Sequence, residues 1–242
     1  MHKVFYLILI LFLTQTVKSQ TTDTVYFKDN LHNKTSIEDY TISGIRNYGE
    51  KGKGITTYFR KDGSAYATFN EKKGKRTGKG TFYHENGVIS RSGSFKKDRP
   101  IGVHDYFDIT AVYIRSEVYN ARGKIIAEYY KTASGKKVYT ICDRLSSFGK
   151  SRKETKAFAR MGVFIDENLI HPPIAKDLDE AIVTVAFLIA PDGSIEELEI
   201  VQSIHPALND EVIAVMKKMP NWRPAKFKGT AVYSEFSITV NF

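Results

Sequence analysis

The chain of 242 residues is short of several things, and each shortage removes a class of protein. It has one cysteine, Cys142, so an internal disulfide is excluded. It has 7 prolines, none of them between Gln20 and Arg99, which leaves no proline-rich spacer in the first half. Its longest apolar run, Val4 to Val17, is shorter than the ~20 residues a membrane-spanning helix needs. Signatures of chemistry are missing too. There is no H-E-x-x-H, no G-x-S-x-G and no His/Cys cluster at metal-ligand spacing. The histidines at 2, 32, 84, 104, 171 and 205 are scattered. His104-Asp105 and His84-Glu85 are adjacent, but neighbours on a strand point to opposite faces. His171 and His205 each precede a proline and read as structural. Cys142 has only Lys136, Lys137 and Arg144 close in sequence, short of what activates a thiol. The expectation is a protein with no catalytic residue, no cofactor and no metal.

What is present starts with a leader. Met1-His2-Lys3 is basic, Val4 to Val17 is almost wholly apolar, and Lys18-Ser19-Gln20 turns polar with a small residue at 19. That is the layout of a secretory signal peptide over 1–19, with an uncleaved anchor as the alternative. No cysteine follows the run, which argues against a lipid anchor. The remainder, with 42% hydrophobic and 26% charged residues over the whole chain, has material for a core. Its 14 Tyr and 15 Phe favour strands. Charge is unevenly spread. Residues 159–242 hold seven Lys/Arg and twelve Asp/Glu, near −5, so the first 158 carry about +14 of the net +9. A basic half fits an anionic surface or a solvated lysine-rich face, and export argues against nucleic acid.

The first half repeats. Glycines 54, 78 and 102 stand 24 residues apart. Tyr58-Phe59, Phe82-Tyr83 and Tyr106-Phe107 keep the same step, as do Gly63 and Gly87. The next steps from Gly87 land on Ala111 and then Gly135, and Tyr130 continues the aromatic column. Turns such as Lys61-Asp62-Gly63-Ser64 and Glu85-Asn86-Gly87-Val88 sit between β-prone runs, a hairpin signal. Three or more hairpins side by side bury a shared face that one cannot. The expectation is a β-hairpin repeat domain over 20–140 with an aromatic ladder, its clearest repeats between about 40 and 135. Gly74-Lys75-Arg76-Thr77-Gly78-Lys79-Gly80-Thr81 has the wrong spacing for a phosphate loop, and no helix follows it. These units resemble MORN-like variant repeats, which implies a scaffold without chemistry.

Residues 141–158 are polar and basic and read as a linker or a short helix joining two domains. From 159 to 242 the pattern predicts an α-β-β-α-β domain, giving the chain an α+β fold. Val163-Phe164-Ile165 with Leu169-Ile170 predicts a short amphipathic helix ended by His171-Pro172-Pro173. Ala181 to Ile189 and Ile195 to Gln202 predict a hairpin around Pro191-Asp192-Gly193-Ser194. Leu208, Val212, Val215, Met216 and Met219 share a helix face between Pro206 and Pro220, with Asp210 and Glu211 toward its start. Val232 to Phe242 alternates as a last strand. The sheet is expected to be three-stranded and antiparallel.

This part resembles the C-terminal domain of TonB. The resemblance rests on Phe164-Ile165-x-x-Asn168-Leu169-x-His171-Pro172 and on Val183-x-Val185-x-Phe187-x-Ile189-x-x-Asp192-Gly193. It also rests on Met219-Pro220-x-Trp222-x-Pro224-Ala225, with Ala225 where glycine is usual, and on Phe236-x-Ile238-x-Val240-x-Phe242. The resemblance implies a periplasmic, non-enzymatic module that takes a partner by strand addition, from an outer-membrane receptor or another envelope protein. The last strand is then the expected edge, with Tyr233, Ser234, Glu235, Phe236, Ser237, Ile238 and Thr239 as contact residues. The other reading of that edge is a structural strand covered by a second copy in a homodimer or by the repeat domain. Trp222 reads as corner packing. Two further functions stay open: a membrane-anchored energy transducer facing the periplasm, and a structural protein whose basic repeats lie on peptidoglycan.

Overall fold

In the computed structural model, the described residues are 21–28, 31, 34–36, 38–149, 154–178 and 180–242. The expected leader over 1–19 lies outside them. Turn chemistry shapes the first half. Ten strands follow one another, each antiparallel to the one before: β1 (Thr21–Phe27), β2 (Ile42–Tyr48), β3 (Lys53–Arg60), β4 (Ala65–Lys72), β5 (Lys75–Tyr83), β6 (Ile89–Lys96), β7 (Arg99–Phe107), β8 (Tyr113–Tyr119), β9 (Ile125–Lys131) and β10 (Lys137–Ile141).

The 24-residue step is one up-and-down pair of strands. Its turn column is Gly63, Gly87, Ala111 and Gly135, at φ of 85°, 84°, 70° and 82°. Each donates its backbone N–H three residues back, to the carbonyls of Arg60, His84, Asp108 and Thr132. Ala111 therefore fills a left-handed position that its three counterparts give to glycine, and its Cβ makes that unfavourable. Along the opposite rim, Lys73-Gly74 and Lys97-Asp98 have positive φ at both residues, the mirror-image turn that suits twisted hairpins.

Ring contacts form a row on one face, which takes Tyr58 and Phe82 from the 24-residue column and its other rings from outside it. Tyr58 meets Phe69 at 5.7 Å between centroids, Phe69 meets Phe95 at 5.2 Å, and Phe95 meets His104 at 5.1 Å. His104 continues the row to Tyr119 at 4.9 Å. Its ring lies directly on Gly93, where a Cβ would stand 2.2 Å from it. Fully buried, His104 is held by hydrogen bonds at both ring nitrogens. Arg91 Nε donates to its Nδ1 at 3.1 Å, so Nε2 carries the proton and faces Ser94 O at 2.9 Å. Two buried carboxylates are satisfied in the same layer. Glu71 accepts from Tyr58 Oη at 2.7 Å and Tyr48 Oη at 3.0 Å, with Arg46 beside it. Glu117 accepts from Tyr106, Tyr119 and Arg115. Burial pushes the Glu117 carboxyl up, but these donors outweigh it and hold the group below its ordinary value.

The second half comprises α1 (Glu154–Asn168), β11 (Ile182–Ile189), β12 (Ile195–Ser203), α2 (Pro206–Lys218), β13 (Ala225–Phe227) and β14 (Thr230–Asn241). Val183, Val185, Phe187 and Ile189 of β11 pack against Leu208, Val212, Val215 and Met216 of α2 and against Met161 and Ile165 of α1. The order has the expected α-β-β-α-β form with the short β13 added. Three details differ from the sequence reading. Helix α1 begins at Glu154, inside the stretch read as a linker or a short helix, and ends before Leu169-Ile170. Asp210 and Glu211 lie past the first turn of α2, and Glu211 instead accepts from the Ile170 backbone at 2.8 Å. The three antiparallel strands are not a separate sheet. β10 pairs in parallel with β14, through Val138↔Tyr233 and Tyr139↔Ser234, so the strand path runs unbroken from β1 to β12.

Two measurements follow from the meander. Ala111→Gly should stabilise the protein by about 1 kcal/mol in urea denaturation, because it removes the left-handed penalty. Burial and the neighbouring Arg91 cation hold His104 below its ordinary 6.5. The unfolded chain then binds the extra proton, so stability is full above 6.5 and falls as pH drops below it. The urea midpoint should decline between about pH 7 and 5, and less steeply in His104→Phe.

Candidate partner-binding edge

A strand without a neighbour presents unpaired N–H and C=O groups to any extended peptide. Two such stretches occur in the second half among the described residues. The first is the outer side of β12. It carries Glu196, Glu197 and Glu199, its register to β11 shifts twice, and Glu197 takes φ of 48°. Lys136 also clamps Glu196 at 2.6 Å and Glu197 at 2.7 Å. Charge and irregular register are the features that discourage pairing.

The second is β14. Its register to β11 is unbroken from Ile182↔Asn241 to Ile189↔Ser234. The other side of β14 is taken up only at its start, by β13 at residues 230–232 and by β10 at Tyr233 and Ser234. This corrects the sequence reading at two positions. Tyr233 is paired with Val138 and lies under the Lys136 ammonium, 5.2 Å from the ring centre. Ser234 is buried, and its hydroxyl donates to Ser146 Oγ at 3.0 Å. The end of the meander and the segment after it cover both.

Among the described residues, Glu235, Phe236, Ser237, Ile238 and Thr239 have a strand partner on one side only, β11. Glu235, Ser237 and Thr239 are exposed, Ile238 is buried and Phe236 is half-buried. Thr239 shares a hydroxyl contact with Thr184 at 2.9 Å. Burial and the Glu235 carboxylate, which takes a hydrogen bond from it, push the Tyr130 hydroxyl up to about 12.

Beside this stretch is a groove of ≈ 270 Å³ that the sequence reading missed. One wall is the extended segment 144–148, another is Ala157, Phe158 and Met161 of α1, and the floor includes Trp222 and Phe236. Segment 144–148 is pinned by an antiparallel ladder. Arg144 exchanges two backbone hydrogen bonds with Lys226, and Ser147 two with Arg223. Phe148 turns inward onto Trp222 at 5.4 Å, and Trp222 meets Phe236 at 4.9 Å. Polar composition made 141–158 read as a linker or a short helix, and the scattered Leu145, Phe148 and Phe158 were the signals that it packs. Cys142, next to this segment, donates to Arg144 O at 3.1 Å, and burial pushes its thiol up, away from the thiolate.

Residues 168–242 match the family model of the Gram-negative bacterial TonB protein C-terminal. No curated protein matches the chain. The TonB match makes this part of the chain a TonB-like, protein-interacting envelope module. It opens on Asn168, the last residue of α1, so the groove combines matched residues of β14 with segment 144–148 and α1 from outside the match. The meander lies wholly outside it and is compatible with the hairpin-repeat reading. Among the described residues no helix is long and apolar enough to cross a membrane.

The two faces of β14 should respond differently to truncation. Phe236→Ala should cost about 3 kcal/mol in urea denaturation, since it empties a ring site between Trp222 and Phe187. Ser237→Ala, on the open face, should change stability by less than about 0.5 kcal/mol.

Proposed function

We propose that the chain is a periplasmic, non-enzymatic adaptor whose TonB C-terminal domain binds an outer-membrane receptor or another envelope protein by strand addition along residues 235–239. The observation that carries this reading is the contrast between the two edges. β12 is charged, bulged and clamped, whereas β14 beyond Ser234 keeps a regular register and has an unpaired side. An added strand gains backbone hydrogen bonds there without disturbing the core. The meander is the scaffold of this adaptor, a MORN-like repeat array joined to the binding strand through β10. Its solvent-exposed Lys72, Lys73, Lys96 and Lys97 would be its contact with peptidoglycan.

Site-specific photo-cross-linking in the full chain, within the cell envelope, tests the edge. A photo-reactive side chain in place of Ser237 should give an adduct with an outer-membrane β-barrel receptor, and one in place of Glu199 on β12 should give none. An adduct from Glu199 alone, or none from Ser237, would contradict the assignment.

A further inference from the structure

The groove beside β14 has hydrogen-bond donors without acceptors. Arg144 Nε, Arg223 Nη1 and Trp222 Nε1 belong to residues that line this groove, are buried, and have no hydrogen-bond partner among the described residues. Of the four such atoms elsewhere among the described residues, the two on guanidinium groups are resolved by charge. Arg46 Nε and Arg115 Nε also lack a well-formed hydrogen bond, but each stands in an ion pair, at 3.6 Å from Glu71 and 3.2 Å from Glu128. Neither Arg144 nor Arg223 has an ion pair among the described residues. The one carboxylate on the groove, Glu235, is exposed and takes the Tyr130 hydrogen bond. Trp222 is 3% exposed, and an indole N–H only donates. Leaving several buried donors unpaired is expensive, most of all on a guanidinium. Backbone pairing with Lys226 and Ser147 holds both arginines in place, so the deficit is built into the fold.

We propose that this groove is a carboxylate-binding site, filled by the acidic side chain of the strand that adds to β14. A guanidinium is a planar fork that matches the two oxygens of a carboxylate, and the indole offers one more donor. The surrounding rings of Phe148, Phe158 and Phe236 exclude water and favour an acid carried on an apolar stem. An amide of the same shape has one accepting oxygen instead of two, no charge, and N–H groups that face a donor, so acid and amide are separated. Glu235 and Phe236 belong both to the groove and to the open stretch of β14, so a strand lying along that stretch can drop one side chain into it. The source of the acid rests on the strand-addition reading, whereas the chemistry of the groove does not.

Trp222 is the chain's one tryptophan, so a single indole N–H resonance reports on the groove. The full chain is titrated with 3-phenylpropionate and, separately, with 3-phenylpropionamide. The acid should shift the indole resonance saturably and bind at least roughly tenfold tighter than the amide. The shift should vanish in the Arg144→Gln/Arg223→Gln double variant while its other amide resonances stay in place. Equal binding of acid and amide, or no shift with the acid, overturns the carboxylate site even if the Ser237 cross-link to a receptor forms. An acid-selective shift without that cross-link keeps the site and removes the added strand as its source.

Discussion

Backbone hydrogen bonding at β14 holds the two halves of the chain together. The first half is a meander in which each strand satisfies the next, and such a chain must end against something or leave a bare edge. Its end, β10, meets β14 at Tyr233 and Ser234, and β14 in turn carries β11 and β12. One strand therefore belongs to both parts. The Lys136 clamp on Glu196 and Glu197 and the contact of Tyr130 with Glu235 sit at the same junction. Charges that are opposite in sign between the halves meet there, and this gives a local role to a charge asymmetry visible in the composition.

The junction also decides which edge is left for a partner. Because β10 stops after two residue pairs, β14 is closed at its start and open beyond it. Segment 144–148 continues from the meander and turns back onto Arg223 and Lys226 instead of running along β14. The open stretch is thus flanked by a groove with walls from both sides of the expected domain boundary. The proposed binding surface draws on both parts of the chain, with the TonB-like part supplying the strand and the preceding segment supplying much of the groove.

The strands and their order were largely legible in the sequence. Asp-Gly and Asn-Gly turns at a 24-residue step demand left-handed φ and so mark the hairpins, and even Ala111 holds the place its period assigns. Alternation along residues 232–242 identified which residues of β14 are core and which are free. Other features depend on contacts distant in sequence and leave no local pattern. His104 looked like a scattered polar residue, yet it is a ring in the aromatic row because Gly93, eleven positions earlier, leaves room for it. The parallel β10–β14 pairing joins residues nearly a hundred positions apart. The role of 144–148 was hidden for another reason: its hydrogen bonds are made by backbone, and its side chains are mostly those of a linker.

The central claim is that β14 beyond Ser234 receives a partner strand on its unpaired side. Residue-resolved amide hydrogen exchange of the full chain, alone and with a purified outer-membrane receptor of the same envelope, measures this directly. The account predicts that alternate amides between 235 and 239, those not already bonded to β11, become protected on addition of the receptor while the β12 amides stay as they were. Protection confined to β12, or a receptor that binds while the β14 amides exchange unchanged, would contradict it.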